Sequence, residues 1–151
     1  MNNLEFAITM EMDGEQFYTE QADANKDNSL GKLFLVLAKD ERSHAKILKN
    51  RFNNLSYEMN VSSTVTEAVN VFKGVRDFKS EIRTTPTQLE LYRDVLDREK
   101  KSIDLYKEML AEALEEQDKE LFEFLVLQET NHFTMFEEMV SLLTRPEEWV
   151  E

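Results

Sequence analysis

Both histidines of the chain close a Glu-x-x-His tetrad, Glu41 with His44 and Glu129 with His132. One further glutamate precedes each tetrad, Glu11 and Glu99, and each is followed seven residues later by a tyrosine, Tyr18 and Tyr106. A single offset relates the two sets: 11, 18, 41 and 44 become 99, 106, 129 and 132 on adding 88. Phe34 and Leu37 map onto Phe122 and Leu125 in the same register, as a duplicated helical hairpin requires. Four carboxylates and two imidazoles arranged in this way form the donor set of one two-metal site. Enclosing four carboxylates without partners costs several kcal/mol apiece or drives them to take up protons. Two divalent cations remove that cost, since four positive charges meet four negative ones. Oxygen and imidazole donors suit Fe, Mn or Zn, and the lack of thiolate disfavours a structural zinc or copper(I) site.

These residues need helices to position them, and the sequence supplies four. Glycine and proline are scarce, at 3 and 2 copies, while apolar residues recur at helical spacing. The fold class is therefore all-α. The first helix is predicted from about Asn3 to Ala24, with Leu4, Ala7, Ile8, Glu11, Gly14, Tyr18 and Ala22 on its inner face. The second runs from about Ser29 to Asn53, and Leu30, Leu33, Phe34, Leu37, Glu41, His44 and Leu48 face inward. The polar NKDNS stretch between them is a turn.

Thr85, Pro86 and Gln88 form a start signal for the third helix: an N-cap, a first-turn proline and the partner of a capping box. Its inner row is Leu89, Tyr92, Leu96, Glu99, Ile103, Tyr106 and Leu110. After a charged turn near Glu115 to Asp118, the fourth helix presents Leu121, Phe122, Leu125, Glu129, His132, Phe136 and Val140, and Pro146 ends it. Short links make each pair an antiparallel hairpin, over 3–53 and 86–144. The intervening 54–85 is long enough to cross the whole bundle and to form a short helix around Thr66 to Phe78. One long crossover is the ferritin-like arrangement of a single domain spanning 1–151. Lys26 lies midway between Glu11 and Glu41, and Leu114 midway between Glu99 and Glu129, so antiparallel arms folded at those points bring each pair of glutamates to the same height.

Composition narrows the partners. With 18 Lys and Arg against 31 Asp and Glu, the net charge of −13 argues against nucleic acid or an anionic membrane surface. Zero cysteines exclude disulfides, iron-sulfur clusters and thiol chemistry within these residues. The N-terminus lacks a basic start and a small-residue cleavage site, and no apolar run nears the roughly 20 residues of a membrane span, so a cytoplasmic location is expected.

The segments EMDGEQFY (11 to 18), ERSH (41 to 44), EKKSIDLY (99 to 106) and ETNH (129 to 132) resemble the rubrerythrin branch of the ferritin-like di-iron carboxylate proteins. That resemblance covers essentially the whole chain. It implies two iron ions, with Mn or mixed Fe/Mn as alternatives. Glu41 and Glu129 would bridge them, Glu11 and His44 would complete one, and Glu99 and His132 the other. Tyr18 and Tyr106 would surround the ligands as hydrogen-bonding aromatics able to donate a proton. The implied activity is reduction of hydrogen peroxide, or of oxygen, by a di-iron oxidoreductase.

Two departures from the family pattern stand out. Many rubrerythrins carry a further glutamate three residues after the third-helix ligand, where this chain has Ser102. A rubredoxin-type domain needs two cysteine pairs, so electrons would come from a separate carrier such as a rubredoxin-like protein. A homodimer is the expected assembly.

Other readings compete with these. The ligand set also suits iron oxidation and handling, and a metal-free helical interaction module could keep its buried acids protonated. Tyr18 and Tyr106 could be core filler. Gly14 leaves space beside Glu11 or allows close helix contact. Asp13, Glu15, Asp40 and Asp97 fall off the inner rows and are expected as solvated charges. In the C-terminal RPEEWVE, Trp149 covers the end of its own bundle or anchors a docking tail.

Overall fold

The structure, a computed structural model, describes residues 2–60, 64, 66–67 and 86–144. Four long helices account for most of them: α1 (Asn3–Ala24), α2 (Ser29–Phe52), α3 (Pro86–Glu112) and α4 (Glu116–Thr144), and no strand occurs among the described residues. The helix-forming capacity is written locally. Asn2 caps α1 by accepting from Glu5 N–H at 2.8 Å, and Asn28 caps α2 through Leu30 N–H at 2.9 Å. Past the end of α2, Asn54 takes a φ of 56° and Leu55 N–H closes on Asn50 O at 2.7 Å, which satisfies a terminal carbonyl.

The α1–α2 turn is tight. A Cβ on Gly31 would stand 2.5 Å from the Asn25 carbonyl oxygen, so only glycine lets the first turn of α2 seat against the end of α1. The other turn closes where Glu115 O accepts from Asp118 and Lys119 N–H, both at 3.1 Å.

Packing follows the four inner rows. α1 lies closely along α2 and α3 along α4, and together they form a ferritin-like four-helix bundle. Two apolar clusters fill it. One gathers Tyr18, Ala22, Leu30, Leu33 and Phe34 with Tyr92, Val95, Phe136 and Met139, at the end where the first hairpin turns. The second gathers Ala7, Ile47 and Leu48 with Tyr106, Met109, Leu121, Phe122 and Leu125, at the end where the second hairpin turns. Hence α2 ends and α3 begins at opposite ends of the bundle, as one long crossover demands. Arg51 joins the hairpins at the lower end, with Nε 2.6 Å from Asp118 Oδ1 and Nη2 3.1 Å from Asp118 Oδ2.

Within 54–85, Thr64, Thr66 and Glu67 are helical. The remainder of the expected crossover helix toward Phe78, the Thr85 cap, Pro146 and Trp149 lie outside the described residues. Gln88 is described, and its amide donates to Asn25 Oδ1 at 3.3 Å, tying the start of α3 to the first turn. Among the described residues no helix is long and apolar enough to cross a membrane.

Candidate metal centre

Between the two apolar clusters the inner rows turn polar at one level. Glu11 from α1, Glu41 and His44 from α2, Glu99 from α3, and Glu129 and His132 from α4 are each no more than 4% exposed. Their donor atoms form two overlapping groups, Glu11, Glu41, His44, Glu129 and Glu41, Glu99, Glu129, His132, each with all its atoms within 4.8 Å of one another. Glu41 and Glu129 belong to both groups. All six candidate residues named from the sequence thus converge, with Glu41 and Glu129 standing between the two groups.

The two tyrosines cross between hairpins. Tyr18 donates its hydroxyl to Glu99 Oε1 at 2.5 Å, and Tyr106 donates to Glu11 Oε1 at 2.5 Å. Each clasp holds a carboxylate of the opposite hairpin through one oxygen, and the second oxygen is buried without a hydrogen bond. These hydroxyls keep their protons, because burial and the facing carboxylates, Glu99 for Tyr18 and Glu11 for Tyr106, both raise their pKa well above 10.

The glutamates divide into two kinds. Burial, with Glu11 and Glu99 nearby, holds Glu41 well above the usual carboxylate range. Burial beside Glu41 and Glu99 does the same to Glu129. Glu11 goes the other way: burial opposes its charge, but His44, Glu41 and Tyr106 outweigh it and bring the pKa to about 2. Glu99 is likewise lowered against burial, by Glu129, His132 and Tyr18. Without cations, then, burial and mutual repulsion push one glutamate of each hairpin toward its protonated form while the other is drawn toward ionisation. For His132, burial disfavours the charge, yet Glu99 and Asp40 push the pKa up to about 10.

Those directions fix the pH response of the metal-free protein. The stabilising contribution of His132 is complete below 6.5 and is lost as pH rises through about 10. The raised pKa values of Glu41 and Glu129 act with the same sign, their contribution being present below 4.5 and lost on the alkaline side. Glu11 and Glu99 act with the opposite sign, and for Glu11 the loss comes as pH falls through about 2. Chelator-treated protein is therefore expected to melt at progressively lower temperature between pH 6.5 and 10, a trend read by circular dichroism.

The fit to cations is visible in what lacks a partner. Glu11 Oε2, Glu99 Oε2, Glu129 Oε2 and His132 Nδ1 are buried and make no hydrogen bond. Three carboxylate oxygens and one imidazole nitrogen left bare in the same enclosure carry a large desolvation cost that a cation pair offsets. Oxygen and nitrogen donors of this kind match divalent iron or manganese.

Gly14 belongs to this site through Glu41 and not, as its place on α1 suggests, through Glu11. A Cβ there would lie 2.9 Å from Glu41 Oε2 and 3.3 Å from Glu41 Cδ. Gly14→Ala is expected to keep or raise the melting temperature, since alanine favours the helix by about 1 kcal/mol and the side chain can yield. The same change displaces Glu41 and should weaken Co2+ binding roughly 10-fold, on the scale of disturbing a group that orients a ligand. Calorimetry of both properties on one sample checks the split.

Asp40 corrects the sequence reading. Expected in solvent, it is 9% exposed, and its Oδ2 takes both His132 Nε2, at 2.7 Å, and the Thr64 hydroxyl of the crossover. The signal was its position three residues after Leu37 and four before His44, which sets it at the edge of the inner row. Asp13 and Asp97 are exposed as expected, and Glu15 pairs with Arg42 at 2.7 Å on the surface.

A cavity borders the cluster. It measures about 420 Å³ and lies between α1 and α3, with Gly14, Tyr18, Glu41, Glu99 and Ser102 in its wall and Asp94, Asp97, Arg98 and Lys101 among its other lining residues. Gly14 and Ser102 occupy equivalent places under the offset of 88, so two small residues face this passage. Ser102 turns its hydroxyl back to Arg98 O at 3.0 Å.

No curated protein and no solved structure matches the chain. The rubrerythrin family model matches residues 2–140, nearly the full length and all six candidate ligands. With the crossed tyrosines, the paired Glu-x-x-His tetrads and the ferritin-like bundle, the chain belongs to the rubrerythrin family.

Proposed function

We propose that the chain is a di-iron oxidoreductase that reduces hydrogen peroxide, or oxygen, with electrons delivered by a separate carrier. The observation that carries this reading is the buried cluster in which two four-residue donor groups share Glu41 and Glu129. A bound iron pair supplies two electrons and Lewis acidity at adjacent centres. The chain's residues do the rest. Glu11 and Glu99, each steadied through one oxygen by a tyrosine of the other hairpin, would serve as terminal ligands. Apolar clusters above and below exclude bulk water from the ends of the bundle.

Reduction of one peroxide breaks the O–O bond, takes up two electrons and two protons, and releases two waters. Tyr18 Oη, which holds its proton and lines the cavity, is the group placed to hand one inward, with Glu99 as its hydrogen-bonded relay. The cavity beside the cluster, about 420 Å³, has room for a molecule of peroxide's size. No cysteine is present to hold a second redox group in these residues, which is why the electron donor is assigned to another protein.

Stopped-flow mixing of the di-ferrous protein with hydrogen peroxide tests the reading. Rapid oxidation of two ferrous ions per peroxide is expected, and ferrous protein that persists through the mixing would remove the proposal. Iron oxidation for storage shares the ligand set but favours assembly into a shell. Oligomeric state by light scattering separates the two.

A further inference from the structure

We infer that the two cation positions are inequivalent and fill in order, the Glu99–His132 position first and the Glu11–His44 position second. This rests on reading the cluster as a two-cation centre, and three observations distinguish its halves.

The first is the anchoring of His132. Asp40 holds Nε2 at 2.7 Å and is itself held by the Thr64 hydroxyl, so the ring has one orientation. Nδ1 is then left inside the cluster, 3.5 Å from Glu99 Oε1, 3.7 Å from Glu129 Oε2 and 3.8 Å from Glu41 Oε1, with no hydrogen bond to any of them. One nitrogen facing three oxygens at that spacing is a donor set already arranged around a point between them.

The second observation is on the other imidazole. His44 Nδ1 is engaged by Glu129 Oε1 at 3.0 Å, with Glu11 Oε2 at 3.4 Å. It has to give up that contact before it can ligate, and the cost is charged to the second position alone.

The third is a break in the duplication. Adding 88 to Asp40 gives Gln128, buried at 2% exposed. A carboxylate on the remote nitrogen makes an imidazole a stronger donor and fixes its orientation, and the position that matches Asp40 under the offset carries no carboxylate. Partners of this type change metal affinity by roughly 10- to 100-fold, which sets the expected separation between the positions. Asp40 is thus a positioning residue for His132, and the Glu11–His44 position is the one that exchanges its cation.

Titration of the metal-free full chain with Co2+, followed by its visible absorption, tests the order. Two steps separated by about 10- to 100-fold are expected. His132→Ala should erase the tight step, and His44→Ala should erase the weak step while leaving the tight one in place. Asp40→Asn should weaken the tight step by about 10- to 100-fold without moving the weak one.

Two equal steps in the wild-type chain, or an Asp40→Asn chain that binds as the wild type does, would overturn the inference while leaving a two-cation centre standing. No Co2+ binding at all would instead overturn the centre and the inference with it. If Asp40→Asn fails to fold, the two histidine variants still decide the order.

Discussion

Chelator-treated protein given a divalent cation at 100 times its dissociation constant is expected to melt about 10–20 °C higher than the metal-free form. At that concentration each site stabilises the folded chain by about 2.7 kcal/mol, and two sites by roughly twice as much. For a domain of this size each kcal/mol moves the melting temperature by about 2–4 °C. The physical source is the enclosure itself. Metal-free, the cluster keeps four buried donor atoms without hydrogen bonds and two glutamates pushed toward their protonated form. Cations satisfy the first and displace the protons of the second, so the shift should grow with pH. A shift below about 2 °C, near the response to less than 1 kcal/mol, would mean that the cluster is not built for cations.

The second large effect separates glutamates of one chemical type by their protonation. In the metal-free protein burial and the neighbouring carboxylates push Glu41 and Glu129 toward the protonated form, which glutamine copies closely in shape and charge. Glu41→Gln and Glu129→Gln should therefore leave the metal-free melting temperature within about 2 °C of wild type, a difference of no more than about 1 kcal/mol. Metal affinity should nevertheless collapse by more than ~100-fold, beyond what loss of an outer hydrogen-bonding partner costs, because each residue belongs to both donor groups.

Glu11→Gln should show the reverse in the metal-free state. Glu11 is ionised and opposes His44, and its removal leaves that interaction unpaired. A loss of roughly 1–3 kcal/mol is expected, readable as a lower denaturation midpoint in urea. Equal behaviour of Glu11→Gln and Glu129→Gln without metal would contradict the division of protons.

Much of this site was legible because helical periodicity alone decides which side chains look inward. Glu11, Glu41, His44, Glu99, Glu129 and His132 share rows with Leu, Phe and Ala, and the offset of 88 ties the two hairpins to one level. What escaped depends on contacts between elements. Asp40 stands beside Glu41, where an acid is ordinarily solvated, and contacts with Thr64 and His132 from distant parts of the chain help make its burial tolerable. Gly14 was placed correctly on α1, but the atom it spares belongs to Glu41 across the hairpin. The crossing of Tyr18 to Glu99 and Tyr106 to Glu11 is likewise a relation between hairpins, which spacing within one helix does not encode. Protonation follows mutual repulsion inside the assembled cluster and has no signature in composition.

The central claim is that six converging side chains hold a pair of cations. Anaerobic equilibrium dialysis of metal-free protein against Fe2+, with elemental analysis of the retained metal, tests it most directly. Two iron ions per chain, falling well below two in Glu129→Gln, is the result this account requires. Retention of less than one ion per chain at saturating Fe2+, or undiminished retention in that variant, would contradict it.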